Sequence, residues 1–582
     1  MMKLHLRKIG IALLCTMAGM QKNKAQELSL PDAQHYIIDD SVMINTGYGI
    51  TLSAVVVRKK GTTRKLPTAL LYFIYSNTER SLKEAKYAAD HGYVGIVADA
   101  RGKRLSPDRP VPYEHEAQDV NAVINWITKQ SWSDGRVGMY GGSYSGFAQW
   151  AATKYLNPAL KTIVPYVAAI PGQGLPMENN VFLNANYQWP FYVTNNKYTD
   201  DGVNADNARW RRLRNIWWES GVAYNRIDSI DGTPNVWLQR WLSHPDYDAY
   251  WQSMVPYKSD FKHINIPVLS ITGYYDDGQV SAMEYLRQHY RYNPQAEHYL
   301  IIGPYDHFGA QKGGVASLRG YDVDAIALFN TRKITFQWLD YILKDGKKPD
   351  LLTNKINYQV MGAGIWKHAA SLDEMMGKKV RFYLDSIPGK SKLLSERKLN
   401  SQHFMSQRVD LKDRNVSNND YYPDPIVKKQ LDRQNGLFFT TAAFNKPTIV
   451  SGAIQGALQA VINKMDMDVG LVLYEITPNG EYFQLSYYLG RASYATDPTK
   501  RHLLRPGQLT QIPIDRSRYF SKLLQPGSKL LLVLNIDKNP FAQINYGSGK
   551  EVSTETIADA GEPLEIKWSS HSYIELGLIE LP

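Results

Sequence analysis

The sequence predicts a mostly parallel α/β domain that is interrupted by a helical insertion and followed by an all-β module. Three observations carry that prediction. Between about residues 51 and 344, short apolar runs alternate with stretches of helical periodicity, the pattern of strands that cross over through helices into one sheet. In Arg136-Val-Gly-Met-Tyr-Gly-Gly-Ser-Tyr-Ser-Gly-Phe-Ala-Gln-Trp150 a strand-like run passes through a glycine-flanked serine straight into a helical pattern. After Gly346-Lys-Lys-Pro-Asp350, which reads as a linker, helical periodicity gives way to alternating runs separated by Gly, Pro and Asn turns.

The elements follow in order. Thr51 to Val57 alternates as a strand, and Ala69 to Ile74 and Val94 to Ala98 read as buried strands with a helix around Ala85 to Asp90 between them. From Ala117 to Ile127, helical spacing puts Val120, Val123, Ile124 and Ile127 on one apolar face. A strand around Lys161 to Ala169 completes the first part of the α/β domain, 26–170. Residues 171–257 lose strand character, become rich in Trp, Asn and Tyr, and show helical stretches at Asn207 to Glu219 and Val236 to Leu242; they predict a helical cap. The second part, 258–346, closes with a helix from Asp324 to Lys344 whose face is Ile334, Trp338, Tyr341 and Ile342. Runs such as Val380 to Leu384, Val469 to Tyr474 and Lys529 to Asn535 make 351–582 all-β, with Ser401 to Gln434 a polar excursion.

The chemistry is concentrated at three strand ends. A serine on a turn too tight for neighbouring side chains needs glycines around it, and Gly141, Gly142 and Gly146 supply them. That is the layout of a nucleophile elbow, although the second glycine stands one residue later than in G-x-S-x-G. Downstream, Val268-Leu-Ser-Ile-Thr-Gly-Tyr-Tyr-Asp276 and His298-Tyr-Leu-Ile-Ile-Gly-Pro-Tyr-Asp-His307 are apolar runs ending in an acid and a histidine. The order Ser, Asp, His is that of an α/β-hydrolase domain. Ser143 is then the expected nucleophile and His307 its base. Asp276 is the orienting acid, with Asp277 and Asp306 as neighbouring alternatives. A Gly-rich turn and a structural histidine are the bland readings of the same residues.

Taken together, these motifs resemble the cocaine esterase and α-amino acid ester hydrolase family, related to the X-Pro dipeptidyl-peptidases of the S15 type. The resemblance rests on Gly141-Gly-Ser-Tyr-x-Gly146, Gly273-Tyr-Tyr-Asp276 and Gly303-Pro-Tyr-x-His307. Asp99-Ala-Arg-Gly102, Val111-Pro-Tyr-Glu-His-Glu116 and Trp132-Ser-Asp-Gly-Arg-Val-Gly138 support it, as do Met361-Gly-Ala-Gly-Ile-Trp366 and Gly490-Arg-Ala-Ser-Tyr494 as second-domain signatures. It implies a C-terminal jelly-roll β domain and an oxyanion hole formed by the backbone N–H of Tyr144 and the hydroxyl of Tyr75. The Phe73-Ile-Tyr-Ser76 context of that tyrosine lacks the Asn-Pro or Thr-Pro that often precedes it. In the amino-ester hydrolases two carboxylates follow the acid loop and bind the substrate ammonium. Here those positions are Gly278 and Gln279, which leans toward a neutral or differently charged acyl group, with Glu178 in the cap as a carboxylate from another direction. Tandem Trp217-Trp218 is either a pocket wall or helix core.

Composition narrows the class. The net charge of +11 comes from scattered Lys and Arg with no basic block or nucleic-acid motif, which excludes a nucleic-acid partner. Lys3, Arg7 and Lys8 precede a short apolar run, Ile9 to Met20, and a polar stretch to Ala25. This is the layout of a signal peptide, 1–25, too short for a stable membrane span, and predicts a secreted or periplasmic protein. The single cysteine, Cys15, lies inside it, so the mature chain has no disulfide and no thiol nucleophile. No metal-ligand motif is present, and the triad chemistry requires no cofactor. The expected activity is a serine hydrolase acting on a small-molecule ester or amide, with a dipeptidyl-type peptidase acting on short peptides as runner-up. A catalytically dead binding protein is the reading of another class, and homo-oligomerisation is left open.

Overall fold

The computed structural model describes residues 30–385, 392–432 and 436–581. The signal-peptide reading of 1–25 therefore lies outside the described residues. Two large sheets organise the chain. The first has ten strands: β1 (Tyr36–Asn45), β2 (Thr51–Lys59), β3 (Leu66–Phe73), β4 (Val94–Asp99), β5 (Ser133–Gly142), β6 (Leu160–Tyr166), β7 (Val268–Tyr275), β8 (His298–Asp306), β9 (Ile356–Val360) and β10 (Ile365–Ala369). Their spatial order is β1-β2-β4-β3-β5-β6-β7-β8-β9-β10. The pairs from β4 through β9 are parallel, and antiparallel strands flank them at both edges. Every residue of β3, β4 and β7 is buried, as expected of parallel strands covered by helices on both faces. The helix Glu116–Thr128 buries Val120, Val123, Ile124 and Ile127 as their spacing predicts.

Two boundaries differ from the sequence reading. The closing helix begins at Thr331 rather than near Asp324, because Asn330 caps it by accepting from Lys333 N at 2.9 Å. Asp324 instead accepts from Gln359 Nε2 at 2.6 Å and Gly362 N at 2.8 Å. Those bonds tie it to the second difference: β9 and β10 extend the first sheet, so the α/β sheet continues past the boundary placed at 346–351. The Met361-Gly-Ala-Gly-Ile-Trp366 segment is the hairpin between them, and Met361 also exchanges backbone hydrogen bonds of 3.0 Å with Ser521 and Leu523 of the β-rich domain.

The insertion contains a two-residue hairpin, Met177–Glu178 with Val181–Phe182, and then helices including Trp189–Thr194, Asn207–Ser220 and Val236–Leu242. No helix among the described residues is long and apolar enough to cross a membrane. The C-terminal domain is β-rich; among the described residues it has thirteen strands that pair antiparallel except for one contact, Leu393 with Thr440. Its longest strand, Thr448–Ile462, spans 15 residues and pairs with four others. The polar excursion holds two of the thirteen, Phe404–Val409, with alternating burial, and the two-residue Val427–Lys428.

The modules are joined by buried polar contacts. Glu178 of the insertion and Arg518 of the β-rich domain form a bidentate ion pair, Nη2 to Oε2 at 2.9 Å, and each side chain is only 2% exposed. Removing one partner strands the other's charge away from water, at a cost of about 3–5 kcal/mol. Glu178→Gln is expected to lower the denaturation midpoint far more than removal of the exposed pair Lys347 and Asp350, which is worth about 0–1 kcal/mol; equal effects in urea unfolding would contradict this account.

Candidate active site

The carboxyl ends of β5, β7 and β8 carry Ser143, Asp276 and His307, the location where open parallel sheets gather their ligands. Ser143 follows β5 with φ 59° and ψ −119°, a conformation that costs an L-residue of order 1–3 kcal/mol and persists only where its surroundings enforce it. Its N–H donates to Tyr166 O at 3.0 Å and its carbonyl accepts from Phe147 N at 2.9 Å. The flanking glycines are required by space: a Cβ on Gly146 would lie 2.9 Å from Ala168 Cα and Tyr166 O. Gln149 braces the same turn, donating from Nε2 to Gly141 O at 3.0 Å and Ser145 O at 2.9 Å while Oε1 accepts from Val164 N at 2.8 Å. The second serine of the motif is committed elsewhere, since Ser145 Oγ donates to Tyr72 O at 2.7 Å.

Asp276 is fully buried. Its Oδ2 accepts from Thr272 Oγ1 at 2.7 Å, and its Oδ1 accepts from Gly278 N at 2.9 Å and meets His307 Nδ1 at 2.8 Å. The carboxylate can accept only, so the imidazole carries its proton on Nδ1 and leaves Nε2 as the basic nitrogen. Burial disfavours the imidazolium, but the hydrogen bond and charge of Asp276, with Asp277 and Asp306 behind it, outweigh burial and raise the His307 pKa. Of the three candidate acids, Asp276 makes this contact. Asp306 caps the short helix that begins at His307, accepting from Gly309 N at 2.7 Å. The Asp277 side chain stays solvent-accessible, and its carbonyl accepts from Arg518 Nη2 at 2.9 Å. Gln311 ties the histidine loop to the elbow. Its Nε2 donates to His307 O at 3.0 Å, and its side chain lies so close over Gly142 that a Cβ there would be 2.3 Å from Oε1.

Tyr75 stands just beyond β3, with its hydroxyl accepting from Trp189 Nε1 at 3.0 Å. Burial raises its pKa, and the bond from Trp189 opposes the rise. Tyr144 opens the helix Tyr144–Thr153, where first-turn N–H groups have no intrahelical acceptor. Its phenol donates to the buried Glu116, whose carboxyl burial pushes up to about 8.

The remaining candidates have protein partners. Gln279 spends its amide on Gly273 O and Tyr519 O, both at 2.9 Å, and on Tyr519 N at 2.6 Å. Gly278 uses its N–H on Asp276, and Glu178 is neutralised by Arg518. Trp217 packs edge-on to Tyr224, while Trp218 donates to Arg414 O of the β-rich domain at 3.1 Å. Both tryptophans are buried, so their contacts are those of core. Sequence reasoning missed Gln149, Thr272, Gln311 and Trp189. Gln149 had a signal, being a polar residue amid the apolar Phe147, Ala148, Trp150 and Ala151 of one helix.

Comparison with known proteins places this geometry. A family model for the X-Pro dipeptidyl-peptidase of the S15 family matches residues 48–309, and one for the X-Pro dipeptidyl-peptidase C-terminal non-catalytic domain matches 351–562. The chain is a serine hydrolase of this S15 family. The hydrolase is 22% identical over 570 residues to the cocaine esterase of Rhodococcus sp. (strain MB1 Bresler), covering 90% of this chain and 95% of that one. Its fold matches an aminopeptidase from a marine sediment Thaumarchaeota archaeon with a TM-score of 0.77 at 18% identity, over 96% of this chain and 99% of that one. It also matches an α-amino acid ester hydrolase with a TM-score of 0.74 at 19% identity, over 97% and 100%.

The raised pKa of His307 sets a sign for the hydrolase's pH dependence. A base acts when neutral, so kcat/KM should rise with pH through a limb that lies above the ordinary histidine value of 6.5. Asp276→Asn removes the charge that raises it and should move the limb of the residual activity to lower pH while kcat falls by about 10⁴. A limb that stays in place in the variant would show that another group is titrating.

Proposed function

We propose that this hydrolase cleaves an ester or amide bond through an acyl-enzyme on Ser143. The observation that carries the reading is the Asp276 to His307 Nδ1 contact, made beside an elbow whose serine hydroxyl has no backbone duty. His307 Nε2 takes the proton as Ser143 Oγ attacks the carbonyl carbon, and the scissile bond then breaks as the same nitrogen returns the proton to the departing oxygen or nitrogen. Water, deprotonated by His307, releases the acyl group in the second half. The developing oxyanion lies between Tyr144 N–H and the Tyr75 hydroxyl, each worth about 2.7–4 kcal/mol by analogy with other acyl-transfer sites. Asp276 fixes the tautomer and stabilises the imidazolium. The signal-peptide-like sequence pattern of residues 1–25 supports action outside the cytoplasm.

Ser143→Ala is expected to abolish labelling by a fluorophosphonate and to leave the thermal midpoint near that of the wild type. His307→Ala should lower turnover by several orders of magnitude, because members of such a unit act together. Labelling that survives at Ser143→Ala would remove the assignment. A parallel screen of acyl esters, amides and Xaa-Pro anilides separates the esterase reading from the dipeptidyl-peptidase one.

The substrate's acyl group is proposed to be uncharged. Gly278 and Gln279 offer no carboxylate, Glu178 is already paired, and a buried ammonium without a counter-charge costs more than ordinary apolar contacts return. An N-acylated or deaminated ester is therefore expected to match or exceed its free-amino counterpart in kcat/KM at neutral pH. A preference of about tenfold for the free amine, which is about 1.4 kcal/mol, would count against this. Asp277 would then be the carboxylate to mutate.

A further inference from the structure

We infer that Trp189, a residue of the inserted segment, is a positioning residue that aims the Tyr75 proton at the oxyanion. The inference rests on the proposed oxyanion role of Tyr75 and begins from the donor inventory of the two groups. An indole N–H can only donate, whereas a phenol has one proton and two lone pairs. In the 3.0 Å contact between Trp189 Nε1 and the Tyr75 hydroxyl, the phenol oxygen must therefore be the acceptor. With that lone pair taken by Trp189, the phenol's one proton is left to donate away from the indole. The hydroxyl would otherwise rotate about its C–O bond, and freezing it before reaction is what preorganisation consists of. Accepting a hydrogen bond also polarises the phenol and strengthens its own donation, by about 10–30% per bond.

The indole is itself held firmly. It stacks on Tyr113 with a ring separation of 5.1 Å and an interplanar angle of 19°, and on Tyr144 at 5.9 Å and 29°. Trp189 thus touches both residues proposed to bind the oxyanion. Its short helix, Trp189–Thr194, is fixed to the α/β domain by Lys103, which is buried and donates from Nζ to Val193 O and Asn196 O at 2.8 Å and to Tyr198 O at 3.2 Å. On the other side of the contact, Thr199 N donates to Ser76 O at 3.1 Å, and Ser76 Oγ donates to Asp99 at 2.6 Å. Both ends of the Trp189 to Tyr75 bond are thereby anchored by chain segments that are themselves joined.

The test is a double-mutant cycle on hydrolysis of a p-nitrophenyl ester, with Trp189→Phe, Tyr75→Phe and the double variant. Tyr75→Phe should lower kcat by about 10² or more. Trp189→Phe, which keeps an aromatic ring in the stack, should lower kcat by about tenfold, the scale of one hydrogen bond, with KM within about twofold. In the Tyr75→Phe background it should cost less than about twofold further, since the proton it aims is gone. Replacing Trp189 with 3-benzothienylalanine by amber suppression removes the N–H alone and keeps the two-ring shape, so it gives the same reading if Trp189→Phe fails to fold. An equal loss in both backgrounds, or no loss beside an intact Tyr75, overturns the role of Trp189 and leaves the proposed function standing. A Tyr75→Phe enzyme with unchanged kcat overturns the oxyanion assignment itself, and the role of Trp189 with it.

Discussion

The backbone conformation of Ser143 is the constraint on which the rest depends. At φ 59° and ψ −119° the residue sits where an L-amino acid is strained, at a cost of order 1–3 kcal/mol, and the surrounding structure must hold it there. The holding parts are identifiable: β5 and β6 in register on one side, Gln149 bonded to three backbone groups, and Gly146 packed against the backbone of Tyr166 and Ala168. Each is unremarkable alone. Together they convert the strain into an aimed hydroxyl, with the start of the next helix placed beneath the same point.

A helical segment inserted into an α/β domain need not take part in the chemistry of the site. Here its Trp189 bonds to Tyr75 and stacks on Tyr144, so part of the environment of both residues comes from the insertion. Lys103 then has a clear function in the fold: a buried ammonium satisfied by three carbonyls of the segment 193–198 is a costly group to separate from its partners. Large displacement of this part of the insertion would disturb the site as well as uncover it.

How far the sequence reveals such a site depends on how local each interaction is. Ser143, Asp276 and His307 are legible because each stands at the end of an apolar run, and the run together with its terminal residue is a pattern within ten positions. Asp276 and Asp277 are not distinguished that way. Which carboxylate faces the imidazole is set by the bonds from Thr272 Oγ1 and Gly278 N, and these are facts of side-chain direction. Trp189 was invisible because its partner is 114 positions away, and Arg518 because Glu178 is 340 positions away. The hairpin of β9 and β10 illustrates a related limit. Its residues alternate as strands whichever sheet they join, and only the parallel pairing of Leu300 to Ile302 with Ile356 to Tyr358 assigns it to the first.

That assignment bears on how the β-rich domain contributes to function. β9 and β10 complete the α/β sheet and also carry the Met361 turn that pairs with Ser521 and Leu523, so the two sheets are connected through one hairpin. From the neighbouring strand of the β-rich domain, Tyr519 bonds both ends of the Gln279 amide, and Arg518 bonds the carbonyl of Asp277. Asp277 follows Asp276 on its loop, and Gln279 opens the helix Gln279–Tyr292 that continues from it. The orientation of His307 therefore depends on a loop whose own position is fixed from the other domain. The β-rich domain thus braces, through Tyr519 and Arg518, the segment that presents the orienting carboxylate.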